Sequence, residues 1–383
     1  MPESIIEIID QYPEVINKTI DLTFDKISQN GQTYKPGDPD PILNPYVVLR
    51  RYISPRLAFR KIEGVRPTLA FIVGVDGEYP IRRESVQFSL ELIGSTKIAR
   101  ARLLTEEDFD ILRDAELHLR ANETAVYDAF VREYVQIPAY LTATIVRLCT
   151  VLIMQLYATA TSLYIDPETR LGFEISYLNQ VPATNRPLPL AGANLWSAVT
   201  TAKPLENLRD HFNAYYANVF RLPDSLAMPA IIADYMLNAT DTRVKIARMK
   251  GLYDTIAPEV LASLPRPTVE DCRTWLQNEM TSAAQSGLRM PEFIVTDAFF
   301  YTEDITTGET ITKPYLTNDS YIFMTQGIIE GAYVPTATNN YASTFAVVTE
   351  LISRAPKREK ISVDSRFLAA CSDPRYLGWR KVI

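Results

Sequence analysis

Glycine is in short supply: 14 in 383 residues, against 25 prolines and 21 tyrosines. Glycine-rich linkers and collagen-like repeats are therefore excluded. Neither GxGxxG nor GxxxxGK[ST] occurs, so the sequence offers no glycine-rich cradle for a phosphate. GxSxG and HExxH are missing too. Histidine is rarer still, with His118 and His211 alone. Two imidazoles cannot build a multi-histidine metal centre and leave little room for histidine acid–base chemistry. Three cysteines (Cys149, Cys272, Cys371) stand far apart without CxxC spacing. Neither a disulfide framework nor a zinc site follows from them, and they point weakly to a reducing compartment. Positive charge is not in excess: 39 Lys and Arg face 46 Asp and Glu, a net −7. Such a chain repels nucleic acid at long range, which argues against a dedicated binder.

No leader is expected, because Met1-Pro2-Glu3-Ser4 lacks a basic stretch followed by an apolar core. The sequons at Asn17, Asn122, Asn238 and Asn318 then carry little meaning. One uncharged run, LCTVLIMQLYATATSLYI at 148–165, is barely long enough to span a bilayer. Arg147 and Asp166 bound it and Gln155 interrupts it, so we expect a buried helix and no membrane partner.

Length suggests two or three compact units, with an ordinary 47% hydrophobic and 22% charged residues. Ile5, Ile6, Ile9, then Val15, Ile16 and Ile20, follow helical spacing broken at Pro13. Residues 30–45, NGQTYKPGDPDPILNP, read as an arm or linker that must lie on something else. Residues 46–104 are strand-rich, with period two in Val86, Phe88, Leu90 and Leu92. The piece 76–103 is thin in apolar residues and reads as a hairpin extending onto a neighbour. At Thr105 the period changes. Thr105-Glu-Glu-Asp108 resembles a capping box, predicting a helix to about residue 120. A second helix is predicted over 124–134. A third runs from Pro138 to about residue 163, apolar nearly all round and therefore covered on all sides. SLYIDPETRLGFEISYL then reads as a hairpin. Beyond Pro187 a separate unit is predicted: a helix from Pro204, a strand at 225–228, a helix after Pro229, a helix over 269–285, then strands at 292–296, 298–302 and 320–325. More strands fill 345–353 and 359–370.

Catalytic constellations are absent from this reading. Glu106, Glu107, Asp108 and Asp110 fit a solvated helix start better than a metal site. Asp38 and Asp40 are too few for calcium, which takes six to eight oxygens. His211 reads as a covered structural residue. The interaction candidates are the basic residues Arg50, Arg51, Arg82, Arg83, Arg100 and Arg102, with Glu84. They lie in a segment without a core of its own, so we expect them at subunit contacts. No catalytic residue, cofactor or metal is assigned, and the chain is not expected to be an enzyme.

The order of these elements resembles the lambda-type major head proteins of tailed bacteriophages, which carry the Hong Kong 97 capsid fold. The resemblance covers about residues 60–383. It rests on LAFIVGVDGEYPIRRESVQFSLELIGSTKIARARLLTEEDF, on LYIDPETRLGFEISY, and above all on LWSAVTTAKPLENLRDHFNAYYANVFRLPDSLAMPAIIADYMLNATDTR. The last matches the family's Trp-Ser (Trp196-Ser197), Pro-led helix, strand, and helix ending in Asn (Asn238). The sequence departs from the family in reading Thr161-Ser-Leu where Gly-Lys is frequent, and in a longer, more helical 105–137.

The resemblance implies an α+β fold with an N-terminal arm (1–55), an extended loop (56–104), a spine helix with peripheral domain (105–190), an axial domain (191–340) and peripheral return strands (341–383). It implies a major capsid protein that forms hexamers and pentamers of itself, closing an icosahedral shell around a phage genome that it encloses without specific DNA binding. Portal, scaffold and decoration proteins would be partners. Assembly would occur in the host cytoplasm and the product would be the virion. The alternative is an encapsulin-like nanocompartment shell of the same fold.

Overall fold

A computed structural model describes residues 6–7, 11–29, 47–51, 57–62, 88–93, 96–121, 124–165, 172–252, 264–282, 289–297, 299–303, 310–336, 343–354 and 357–383. The fold is α+β. In chain order it opens with helix α1 (Pro13–Gln29) and strands β1 (Val47–Arg51), β2 (Leu57–Ile62), β3 (Phe88–Ile93) and β4 (Thr96–Leu104). Helices α2 (Glu106–Arg120), α3 (Thr124–Val135) and α4 (Ile137–Thr159) follow, then the hairpin β5 (Thr161–Ile165) and β6 (Gly172–Ser176). Next come α5 (Pro204–Val219), β7 (Ser225–Met228), α6 (Ala230–Asn238), α7 (Thr240–Met249) and α8 (Val269–Ser282). The chain closes with β8 (Glu292–Val295), β9 (Phe299–Glu303), β10 (Thr310–Pro314), β11 (Ser320–Met324), β12 (Ile329–Val334), β13 (Phe345–Arg354), β14 (Lys357–Cys371) and β15 (Gly378–Lys381).

Helix α4 is the spine of the molecule. A helix apolar on every side needs cover on every side, and two different sheets supply it. On one side lies a five-stranded sheet in the order β1-β12-β14-β13, with β4 on the opposite flank of β14 from β13. Its inward residues Ile98, Ile361, Val363, Phe367 and Tyr333 share a core with Ile145, Leu152, Ile153 and Leu156 of α4. On the other side lies a four-stranded sheet, β15-β11-β7-β8. Strand β11 is buried on both faces. By the alternation of a strand, Ile322 and Met324 join the α4 core while Tyr321 and Phe323 join a second core under α5 and α8. The Tyr157 hydroxyl fastens the spine to this sheet by donating to the Thr325 carbonyl at 3.0 Å.

Helix α4 stops four residues short of the sequence expectation. Ala160 takes a left-handed conformation (φ 54°) and its N–H returns to the Leu156 carbonyl at 2.8 Å. Residues 161–165 then pair with β6, and the Gln155 side chain accepts from the Leu163 N–H at 3.0 Å. The helical stretch Thr124–Thr159 contains a window of mean hydropathy 1.8, apolar and long enough to cross a membrane, of which 61% is buried inside the protein. This matches the expected covered helix.

The predicted start of α2 is realised with Asp108 as its anchor. Its carboxylate accepts from the Thr105 N–H at 2.8 Å, closing the first turn in the manner of a capping box. It also accepts from the Tyr134 hydroxyl at 2.7 Å, which pins α3 to the same corner. Helix α1 lies along α4 through the buried Ile16 and Ile20. Ahead of it, the Ile6 N–H donates to the buried Glu359 of β14 at 3.1 Å.

Two boundaries differ from the expected domains. The segment read as an extended loop, 56–104, ends inside the five-stranded sheet: β4 pairs with β14 along its whole length, from Thr96↔Phe367 to Leu104↔Glu359. Ile98 and Leu104 are buried, and that burial holds β4 there. The tail 341–383 does not return wholly to that sheet, because β15 pairs with β11 in the four-stranded one. Strand β12, inside the stretch expected to be axial, belongs to the five-stranded sheet.

Candidate assembly surfaces

Strands β2 and β3 pair with one another, from Leu57↔Ile93 to Ile62↔Phe88, and among the described residues with no third strand. A two-stranded ribbon is marginal alone in water. The candidates Arg82, Arg83 and Glu84 lie outside the described residues, as do Asp38 and Asp40.

The remaining candidates do not form one patch. Arg50 and Arg51 stand on β1, the edge beyond β12, opposite Ala332 and Tyr333. Arg100 and Arg102 stand on β4, across β14 from there, opposite Val363 and Ile361. Arg51 is ion-paired with Asp21 of α1 at 2.5 Å and sits 5.9 Å from the Phe345 ring. It therefore ties the first helix to the sheet. Arg102 lies 3.4 Å from Asp108 and 5.8 Å from the Tyr134 ring, at the corner where β4 turns into α2. Arg100 is exposed. Beside them Lys97 reaches the nearly buried Asp364 at 2.6 Å. Two of these cations thus have jobs within the subunit, which spacing alone did not reveal.

Sequence reasoning missed a different surface. Phe220 is 78% exposed and holds a left-handed backbone (φ 54°) where α5 ends, its N–H bonded to the Tyr216 carbonyl at 2.7 Å. For a residue with a Cβ that conformation costs roughly 1–2 kcal/mol. Hydropathy gives no warning of this, since a phenylalanine at a helix end reads as core. Leu188 (84%) and Tyr140 (68%) are likewise open to solvent.

His211 and the three thiols are sequestered. His211 is 2% exposed, with Nδ1 2.9 Å from the Tyr321 hydroxyl and Nε2 3.0 Å from the Asn185 carbonyl. Burial pulls its pKa down to about 3, so it stays neutral. This matches the structural reading of its sequence position. All three cysteines are buried thiols. Burial pushes Cys272 up to about 12 and raises Cys149 and Cys371 as well, which suppresses the thiolate. Among the described residues no cluster of His, Cys, Asp and Glu has metal-site geometry.

No protein-family model matches the chain, and no curated protein matches it in sequence. Solved structures do. A prophage protein of E. coli CFT073, described as a capsid protein, is similar over 86% of this chain and 85% of its own, at 13% identity and a TM-score of 0.46. The mature capsid subunit of bacteriophage PhiM1 is similar over 92% and 89%, at 10% identity and 0.42. The SrpI encapsulin of Synechococcus elongatus PCC 7942 is similar over 88% and 84%, at 10% identity and 0.37. These are likenesses in backbone path, and the functional reading rests on the chain's own elements.

Proposed function

We propose that the chain is a shell-building subunit, the major capsid protein of a tailed phage, with a structural rather than a catalytic role. The observation that carries this is the pairing of a doubly covered spine helix with a hairpin that, among the described residues, has no third strand. Helix α4 fixes two sheets rigidly to one axis, while β2–β3 leaves the body as a ribbon too small to be stable alone. Such a ribbon gains stability by lying on another copy, and a repeated contact of that kind builds closed assemblies. The sequence resemblance to lambda-type head proteins supports the same reading, as does the enclosure of His211 and the three thiols.

In this reading α1 and the residues up to about 55 form the arm. The projecting loop is 57–93, with β4 reassigned to the body. The five-stranded sheet and α1–α4 form the peripheral part, and the unit of α5–α8 with the four-stranded sheet forms the axial part. Hexamers and pentamers of the chain would close around DNA that the acidic subunit does not grip. Portal, scaffold and decoration proteins are the partners this role requires.

The test replaces 63–87 by Asn-Gly. Ile62 and Phe88 are paired, so a two-residue turn can close the ribbon. The shortened chain is expected to fold with unchanged circular dichroism yet fail to close shells. Closed particles of normal size would refute the role given to the loop. Nucleic acid inside wild-type particles supports the phage head; an enclosed enzyme would favour a nanocompartment.

A further inference from the structure

Resting on the shell-building reading, we propose that neighbouring copies join head to tail through Phe220 of one copy, seated in a pocket at the opposite end of the four-stranded sheet of the next.

The knob and the pocket belong to the same small unit. Phe220 closes α5, just before β7 begins. The Asp224 N–H meets the Met324 carbonyl and the Glu292 N–H meets the Asp224 carbonyl, so this is the end where β7 and β8 start and β11 finishes. The pocket lies at the other end, where β7 and β8 finish and β11 starts. It has a volume of about 350 Å³; its lining is half apolar (Pro229, Ile231, Pro314 and Leu316) and half polar, the polar half including Thr312 and Asp297. The four residues of β7 separate the two ends by roughly 13 Å of strand. Engaged head to tail, a contact between different surfaces at opposite ends of one unit leaves one knob and one pocket free on every pair. It repeats from copy to copy and closes into a ring when the rotation allows.

Three features fit knob to pocket. The first is size, since a benzyl group fills well under half of 350 Å³ and leaves room for its flanking backbone. The second is apolar contact, because Pro229, Ile231, Pro314 and Leu316 form half of the lining and Ile231 is 42% exposed, the other half being the polar Thr296, Asp297, Thr312 and Asn318. The third is charge. Arg221 follows the knob, its side chain 54% exposed and ion-paired at 2.6 Å with Asp224. The pocket carries Asp297, one of whose oxygens accepts from the Ala230 N–H at 2.9 Å. A cation beside the knob thus meets a carboxylate beside the hole. Phe220 combines a left-handed backbone with an exposed ring. A glycine there would relieve the backbone and delete the knob, so assembly and folding can be separated.

The experiment uses the full chain in two variants. Phe220→Gly is expected to melt at or above the wild-type temperature and to need at least tenfold more protein to assemble in sedimentation. The pair Phe220→Cys with Thr312→Cys, oxidised by copper–phenanthroline and dissolved oxygen, is expected to give a covalent ladder from dimer upward. The native thiols are buried and do not compete. A Phe220→Gly chain that assembles at the wild-type concentration overturns the contact, and so does an assembled cysteine pair without a ladder. A wild-type chain that stays monomeric even with a scaffold supplied overturns the shell-building reading itself, and this contact with it.

Discussion

Acid should loosen the unit that carries the knob, through His211. Its ring is 2% exposed and held neutral between the Tyr321 hydroxyl and the Asn185 carbonyl. Burial depresses its pKa from 6.5 to about 3. The unfolded chain therefore binds a proton that the folded chain refuses between those two values, and stability falls as pH drops below about 6.5. At ~1.4 kcal/mol per pH unit, the loss is about 2 kcal/mol at pH 5 and approaches roughly 5 kcal/mol near pH 3. Carboxylates elsewhere also titrate, so the informative quantity is a difference. Urea unfolding at pH 7 and pH 5, followed by tryptophan fluorescence, to which Trp196 stacked on Tyr321 at 5.6 Å contributes, compares wild type with His211→Gln. The variant starts less stable, because either buried partner can lose its hydrogen bond at roughly 1–3 kcal/mol. Its further loss on acidification should be smaller than that of wild type by about 2 kcal/mol. Equal losses in the two proteins would refute the burial argument.

Other perturbations test other joints of the fold. Gly378→Ala would place a Cβ 2.7 Å from Phe323 Cδ2 and 3.2 Å from the Asn185 carbonyl; a thermal melt should show it destabilised by about 1–3 kcal/mol. Tyr134→Phe removes the hydroxyl that binds Asp108 and should cost about 1–2 kcal/mol in a urea titration. Ile153→Ala, in the doubly covered spine, should cost about 2–5 kcal/mol by the same method. Arg51→Ala breaks an exposed ion pair and should cost under about 1 kcal/mol, so a large loss of shell formation from it would point to a contact between subunits.

Much of this architecture is written locally. Thr105 to Asp108 carries its own cap, Pro204 and Pro229 start α5 and α6 as expected, and the uncharged run at 148–165 announces the spine. Helix α7 was not legible, because TDTRVKIARM shows few apolar positions and is held by packing of Thr242, Ile246 and Ala247. Strands β12 and β15 were missed for a different reason. The partners of β12 come from residues 47–51 and 366–371, and those of β15 from 320–323, so their pairing is decided far from their own residues. The same holds for the arginine candidates. Arg100 and Arg102 alternate with small residues as an exposed ribbon would, yet a strand more than 250 positions away claims them. Phe220 shows the limit most clearly, since a phenylalanine at a helix end reads as core from composition, yet this one is exposed.

The central claim is that this subunit builds closed shells. Negative-stain electron microscopy of the purified full chain, beside a sedimentation run, tests it most directly. The account predicts uniform closed particles or flat ring-shaped capsomers sedimenting far ahead of a single chain. A compact monomer at every salt and protein concentration, even with a scaffold supplied, would contradict it.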